Sequence, residues 1–253
     1  MNHRRWIKLL PIALLLCCAA ALLVADDKPA VPLQKEKAAE HVARTREPFT
    51  IAVLPDTQFY CDTRLKLSAK WGNGDLRRYF FKQTEWVRDN QQRLNIKFLV
   101  HEGDIVQADA PEEWAIAKEA MSVLDEKVPY CMCLGNHDMG FEKADNKYGG
   151  NIGVNRTTHF NTYFPREKFV KRREFGGTCD PDRHDNSWYH FEAAGMRFLI
   201  VALECKPRDE VLAWANQVVS EHPDHRVIVL THAYMDARKS RNTGGMKAKG
   251  NTG

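Results

Sequence analysis

Four short groups of polar residues carry most of the side chains in this sequence that could do chemistry. They are Asp56-Thr57-Gln58, Gly103-Asp104, Gly135-Asn136-His137-Asp138 and Thr231-His232. Their carboxylates, amides and imidazoles form a mixture that suits divalent cations of intermediate softness, such as Mn, Fe or Zn. These residue types therefore indicate a metal site, provided that the four groups meet in space.

Taken one at a time, the groups have ordinary structural explanations. An Asp after a strand is commonly a helix cap, Gly-Asp and Gly-Asn are frequent turn pairs, and a single histidine is more often packed than a ligand. Their shared position favours a functional explanation for the set, because each group directly follows a short apolar run. Ligands of open α/β sheets collect beyond the carboxyl ends of the strands, so the four groups are predicted to converge on one site.

The elements that must position these groups alternate along the chain. Strands are predicted over 49–54, 96–100, 128–134, 188–191, 196–202 and 227–230, and helices over 77–92, 111–125 and 209–220. This order predicts an α/β fold with a largely parallel sheet. Residues 140–186 are dense in Gly, Asn, Asp and basic residues, and are predicted to form a long active-site loop or insertion.

The order Asp-x-Gln, Gly-Asp, Gly-Asn-His-Asp and Thr-His resembles the calcineurin-like metallophosphoesterase family, from about residue 49 to residue 232. Gly-Asn-His-Asp is the specific motif among them. The resemblance implies a domain over 48–253 with a layered α/β/β/α sandwich. It also implies hydrolysis of phosphate mono- or diesters by hydroxide that two divalent metal ions activate. The usual first motif is Asp-x-His, so Gln58 is a departure that brings a poorer ligand for softer metals.

The resemblance assigns a role to each matching position. The implied metal ligands are Asp56, Gln58, Asp104, Asn136 and His232. In this assignment Asp56 and Gln58 bind the first metal. Asn136 and His232 bind the second, and Asp104 bridges both ions. His137 would protonate the leaving oxygen or steady the developing charge, held in place by Asp138. His101 and Glu102 lie beside these ligands; packing at the strand end is their favoured explanation, and support of the metal ligands is the alternative.

Family members usually complete the site with a Gly-His-x-His motif, which is absent here. His232 is the last histidine in the sequence. The resemblance therefore implies either a sandwich truncated at its C-terminus, which is the favoured explanation, or a reduced family member with an incomplete site. Three functional classes stay open: an active phosphoesterase, a non-catalytic metal-binding or scaffold relative, and a glycosidase-like hydrolase that uses carboxylates as acid and base.

Residues 1–25 have the layout of a secretory signal peptide, with a basic start at Arg4, Arg5 and Lys8 and then an apolar run. Cleavage near Ala25 is favoured over retention as a membrane anchor, because a small residue is followed at once by a polar stretch. A linker is predicted over 26–47. We expect an exported protein, periplasmic, extracellular or at the cell surface, with no stable membrane span after cleavage.

The charge balance of the chain bears on whether it binds nucleic acid. Without the three basic residues of the N-terminus, 34 of the 37 Lys and Arg remain against 33 Asp and Glu, so no nucleic-acid surface is evident. The predicted partner is a phosphate-ester substrate.

Five cysteines follow the signal peptide. Cys131 and Cys133 are predicted to be small core side chains, whereas Cys61 and Cys179 could pair outside the cytosol.

Overall fold

The two predicted N-terminal segments lie almost wholly outside the part of the chain that can be described. The computed structural model describes residues 47–63, 75–139, 156 and 158–234. The strands within these residues are β1 (Thr50–Leu54), β2 (Ile96–His101), β3 (Tyr130–Met132), β4 (Phe175–Thr178), β5 (Ser187–Ala193), β6 (Met196–Ala202) and β7 (His225–Leu230). The helices are α1 (Gln58–Cys61), α2 (Arg77–Asn90), α3 (Pro111–Ser122), α4 (Phe160–Tyr163), α5 (Arg166–Val170) and α6 (Asp209–Ser220).

The first sheet is parallel and has the order β1-β2-β3. Leu54 of β1 pairs with His101 of β2, and His101 pairs in turn with Met132 of β3. The three strands therefore end at one edge of the sheet, and the polar groups that follow them begin there. All residues of the central strand except Lys97 are buried, and the buried ones are apolar up to the terminal His101, as expected of a parallel strand covered on both faces.

The second sheet has the order β4-β5-β6-β7 and is mixed. Strands β4, β5 and β6 are antiparallel neighbours, whereas β6 and β7 are parallel. The expectation of a largely parallel sheet therefore fails for β4 to β6. For β5 and β6 the physical reason is the two-residue turn between them, where Ala194 and Gly195 both have positive φ, +50° and +70°. Such turns return the chain as an antiparallel hairpin.

The two sheets pack face to face through aromatic side chains. The ring of Phe98 on β2 lies 5.8 Å from Tyr189 and 5.4 Å from Phe191, both on β5. Helices cover the outer faces. Apolar side chains of α2 and α3 join the core of the first sheet, while Val211, Ala215 and Val218 of α6 pack on the outward side of β6. The layers are therefore α/β/β/α, which confirms the predicted sandwich.

Local sequence explains why the two longer helices on the first sheet form where they do. Phe80, Thr84 and Val87 of α2 recur at helical spacing and are the buried side of that helix. Helix α3 begins with Pro111, and Glu112 and Glu113 occupy its first turn, where negative charge favours a helix start. Both helices end two or three residues earlier than predicted, because turns replace their last residues.

The segment 140–186 is more structured than the prediction of a long loop. Its described part contains α4, α5 and β4. Phe160, Phe164 and Phe169 are fully buried there, and Trp114 of α3 packs against the first two. These aromatic side chains supply the apolar contacts that fix the segment on the core.

The cysteines behave in part as predicted. Cys131 and Cys133 are buried in the core, and burial raises the pKa of both thiols, so the prediction that they are core side chains is confirmed. Cys61 and Cys179 are free, and the pairing considered for them is wrong. Cys61 is buried in the main core, whereas Cys179 packs on the cluster beside α6.

Among the described residues, none of the helices has the length and apolar character that spanning a bilayer requires.

Candidate functional site

Three of the predicted ligands meet at the edge where the strands end. Asp56 follows β1, Asp104 follows β2, and His232 follows β7 of the other sheet. The Nε2 atom of His232 lies 3.4 Å from Oδ2 of Asp104, and its Nδ1 atom lies 3.8 Å from Oδ1 of Asp56. One ligand atom from each residue lies within 4.8 Å of the other two, a group that could hold a metal ion.

The three side chains differ in how far they reach solvent. The exposed fraction is 52% for Asp56, 15% for His232 and 6% for Asp104. Burial raises the pKa of Asp56. Burial alone would lower the pKa of His232, but the hydrogen bond and charge of Asp104 outweigh it and raise that pKa to about 9. A protonated imidazole therefore balances the carboxylates, and a bound cation would have to displace that proton.

Two glycines allow the loops to approach closely enough for this group to form. Gly103 has φ +90°, and a Cβ atom there would lie 2.7 Å from the backbone nitrogen of Gly135. A Cβ atom on Gly135 would overlap the carboxylate of Asp104. The Gly-Asp and Gly-Asn pairs are therefore required by close packing of the two loops, in addition to any role in turning the chain.

The loop that carries His232 is anchored by a buried ionic cluster. Thr231 donates through Oγ1 to the carbonyl of Glu204 at 3.0 Å. The side chain of Glu204 pairs with Arg156 at 3.2 Å and with Arg208 at 2.8 Å. Arg156 also donates to the backbone carbonyls of the two residues after Glu204, those of Cys205 at 2.8 Å and Lys206 at 2.9 Å. Sequence reasoning missed this cluster, because its members lie in three segments without a common motif.

His137 contacts the group through its backbone. Its N–H donates to Oδ1 of Asp104 at 3.0 Å, so it helps to fix that carboxylate. Its ring Nδ1 lies 2.7 Å from the carbonyl oxygen of Gln107, which accepts the Nδ1 proton. Nε2 is then the ring nitrogen that remains for proton transfer.

The predicted contact between Asp138 and His137 is wrong. The carboxylate of Asp138 is buried and accepts hydrogen bonds from three backbone N–H groups, those of Ile105, Val106 and Gly135, at 2.8, 2.9 and 2.7 Å. Burial and the charge of Asp104 raise the pKa of Asp138, and the three N–H donors oppose that shift. Asp138 therefore holds together the loops after β2 and β3, and the Gln107 carbonyl orients His137 in its place.

Gln58 and Asn136 are the remaining predicted ligands. Gln58 opens α1 and is buried, and its Oε1 atom has no hydrogen-bond partner within the described residues. A buried amide oxygen left in this way costs about 1–3 kcal/mol, and a cation would satisfy it. Asn136 is half-buried in the turn between Gly135 and His137. The assignment of both residues as metal ligands stays a prediction.

Two further side chains join the ligand loops. Thr57 donates through its N–H to the Asp104 carbonyl at 3.1 Å and through Oγ1 to the Ile105 carbonyl at 3.0 Å. His101 is fully buried, as its packing explanation expects, but both ring nitrogens also make hydrogen bonds to these loops. For His101 these bonds agree with the alternative given from the sequence, support of the candidate metal ligands. For Thr57, its position directly after Asp56 is the signal in the sequence that could have identified it.

Comparison with known proteins gives matches across most of the chain. The family model for calcineurin-like phosphoesterases matches residues 49–250. The "Uncharacterized protein YvnB" of Bacillus subtilis (strain 168) is 31% identical over 242 residues, which is 94% of this chain and 16% of that protein. A solved structure, purple acid phosphatase PPD1 from yellow lupin (Lupinus luteus) seeds, matches with 16% identity and a TM-score of 0.43, over 74% of this chain and 30% of that one. The chain thus spans less than a third of either relative's length.

Proposed function

Because the chain belongs to the calcineurin-like phosphoesterase family, we propose that it hydrolyses phosphate mono- or diesters with two divalent metal ions as cofactors. One observation carries the proposal: Asp56, Asp104 and His232 come from three separate strand ends and place one ligand atom each within 4.8 Å. These residues supply the carboxylate and imidazole ligands that divalent cations of intermediate softness bind. The finer assignment of mono- or diesters follows from the family alone.

The residues around this group suit divalent cations. Asp56 and Asp104 supply carboxylates and His232 an imidazole, and the amide oxygen of buried Gln58, which has no hydrogen-bond partner among the described residues, would add a further ligand atom. The residues that would hold the ions are Asp56, Gln58, Asp104, Asn136 and His232. When bound, two divalent cations would lower the pKa of a bound water and offset the negative charge of the phosphoryl oxygens.

The protein's own groups would orient the reaction. Asp104 is held by the His137 N–H on one oxygen and faces His232 with the other, so its carboxylate has a fixed direction. His137, with Nδ1 donating to the Gln107 carbonyl, would hold a proton at Nε2 for the leaving oxygen of the ester. A positioned acid of this kind contributes about 10²–10⁴-fold to a rate.

The experiment is metal analysis combined with turnover of an aryl phosphate monoester and an aryl phosphate diester. Asp104→Ala should remove both metal and activity, because the family resemblance makes its carboxylate the ligand that both ions would share. Asp224→Ala is a matched control, since that carboxylate is 77% exposed on the surface and should leave both unchanged. A protein that binds metal and hydrolyses neither ester would favour the non-catalytic alternative, and one that binds no metal would refute the proposal.

Export is a separate proposal and rests on the pattern of residues 1–25. The basic start, the apolar run and the small residue before Asp26 support a cleaved signal peptide. N-terminal sequencing of the protein purified from its natural host should begin close to Asp26. An uncleaved form in the cytosol would contradict this.

A further inference from the structure

We propose that His101 and Thr57 form a positioning pair that sets the separation of Asp56 and Asp104 for metal binding. The inference rests on the proposed function, in which these two carboxylates hold the cations. Neither member of the pair is itself a ligand. Thr57 follows Asp56 directly, and His101 lies three residues before Asp104 at the end of β2.

The hydrogen bonds of the pair define a single arrangement. Thr57 Oγ1 donates its proton to the Ile105 carbonyl at 3.0 Å, so the same oxygen must accept from His101 Nε2, also at 3.0 Å. The other ring nitrogen, Nδ1, accepts from the N–H of Gly103 at 3.2 Å. His101 is therefore the neutral Nε2–H tautomer, with each ring nitrogen bonded to a different ligand loop. Burial, which lowers the pKa of His101 to about 3, agrees with a neutral ring.

These bonds connect the two loops at the residues beside the ligands. His101 bonds to the neighbour of Asp56 on one side and to the neighbour of Asp104 on the other. The backbone N–H of Thr57 adds a third link, to the Asp104 carbonyl at 3.1 Å. A change in this network would therefore alter the distance between the two carboxylates while leaving the strands in place.

Packing alone does not explain a histidine at this position. His101 is fully buried at a strand end and lies 6.0 Å from the ring of Phe80, surroundings that an apolar side chain would suit without the loss of hydration. Both of its polar atoms are used within the ligand loops. Outer partners that orient metal ligands typically contribute 10–100-fold to metal affinity, and that is the effect expected here.

The test measures Mn²⁺ affinity of the full chain by titration calorimetry, together with the thermal midpoint of the metal-free protein. Thr57→Val keeps the shape of the side chain but removes Oγ1, and should weaken Mn²⁺ binding by about 10–100-fold. Thr57→Ser restores the hydroxyl and should rescue the affinity to within about threefold of the wild type. His101→Leu removes both ring bonds and should weaken binding at least as much as Thr57→Val.

Thr84→Val is the matched control for loss of a buried hydroxyl. Thr84 is fully buried in α2, and its Oγ1 bonds the Phe81 carbonyl at 3.0 Å, within its own helix. It should lower the thermal midpoint of the metal-free protein about as much as Thr57→Val, but leave the Mn²⁺ affinity unchanged. A purely structural role for Thr57 predicts the same outcome for both variants.

The outcomes separate this inference from the proposed function. If the wild type binds Mn²⁺ but hydrolyses no ester, the proposed function fails, and the positioning pair is still judged by the affinities. If Thr57→Val and His101→Leu bind Mn²⁺ as tightly as the wild type, the positioning pair is refuted whatever the activity. A wild type that binds no Mn²⁺ overturns both.

Discussion

At the scale of single residues, the site depends on two glycines, because their lack of a Cβ atom leaves room for neighbouring groups. Gly103 and Gly135 bring two backbone segments into contact, and the carboxylate of Asp104 lies where a side chain on Gly135 would be. The functional groups of the Gly-Asp and Gly-Asn-His-Asp motifs are therefore arranged by their glycines. Loss of either glycine should act first on the geometry of the ligands.

Gly135→Ala should lower metal affinity strongly, because its Cβ must displace the Asp104 carboxylate or shift the loop. Gly177→Ala is a suitable control. Its Cβ would lie 3.1 Å from Nε1 of Trp188, a side chain that can move. Circular dichroism should show both variants folded, and metal analysis should show a loss only in the first. Normal metal content in Gly135→Ala would mean that the loops are not as closely packed as described.

His137→Ala should separate catalysis from metal binding. Its ring is held by the Gln107 carbonyl, while its contact with Asp104 runs through the backbone, which alanine retains. We therefore expect metal content close to that of the wild type and turnover lower by about 10²–10⁴-fold. Steady-state kinetics with an aryl phosphate, beside metal analysis of the same sample, would measure both. Full activity would exclude His137 as the proton donor.

At the scale of elements, regular patterns in the sequence predicted the structure well and irregular ones did not. Helix α6 and strand β6 have the predicted bounds, since α6 has a clear helical period and β6 is apolar and buried from Phe198 to Ala202. In contrast, β4 contains Gly176 and Gly177 and shows no strand pattern. Short helices such as α4 become stable through contacts with distant aromatic residues, which local sequence does not reveal.

The same distinction applies to the site. Convergence of Asp56 and Asp104 could be predicted, because they follow neighbouring parallel strands, which end together. His232 joins them from the second sheet, so its approach depends on how the two sheets pack. The partners of Asp138 could not be predicted, since three of its bonds go to backbone N–H groups whose directions depend on the folded loops. Side-chain identity therefore indicated the candidate ligands, whereas the backbone geometry of the folded loops determines which groups support them.

The helices α4 and α5 also bury His184, and this burial makes the stability of the folded protein depend on pH. Its ring lies 5.6 Å from Phe160 and 4.1 Å from Phe169, it bonds the Tyr189 hydroxyl, and the nearby charges are those of Arg166 and Arg172. Burial lowers the pKa of His184 to about 3, below its ordinary value of 6.5. The unfolded chain therefore binds a proton first, and the stabilisation present above pH 6.5 is lost as the pH falls towards 3.

His184→Phe should remove this pH dependence, because phenylalanine fits among the same aromatic rings and does not titrate. Urea unfolding between pH 7 and pH 5 should show the free energy of unfolding of the wild type falling more steeply than that of the variant. The difference in slope should approach about 1.4 kcal/mol per pH unit. Equal slopes in the two proteins would show that His184 titrates normally in the folded state.

At the scale of the whole molecule, the candidate metal site belongs to both sheets. Asp56 and Asp104 follow strands of the first sheet, and His232 follows the last strand of the second. A cation held by all three would therefore connect the two halves of the sandwich. Binding to the folded state alone should stabilise the protein by about 2.7 kcal/mol at a metal concentration 100 times the Kd.

The distance along the chain between these halves has a consequence for folding kinetics. His232 meets the Glu102 carbonyl at 2.9 Å across a separation of 130 residues. Contacts between such distant residues are costly to form and are expected to close after the transition state. Stopped-flow measurements with and without Mn²⁺ should therefore show a slower unfolding rate and an almost unchanged folding rate. Faster folding with Mn²⁺ would place assembly of the site before the barrier, and bound metal would then guide folding as well as protect the finished protein.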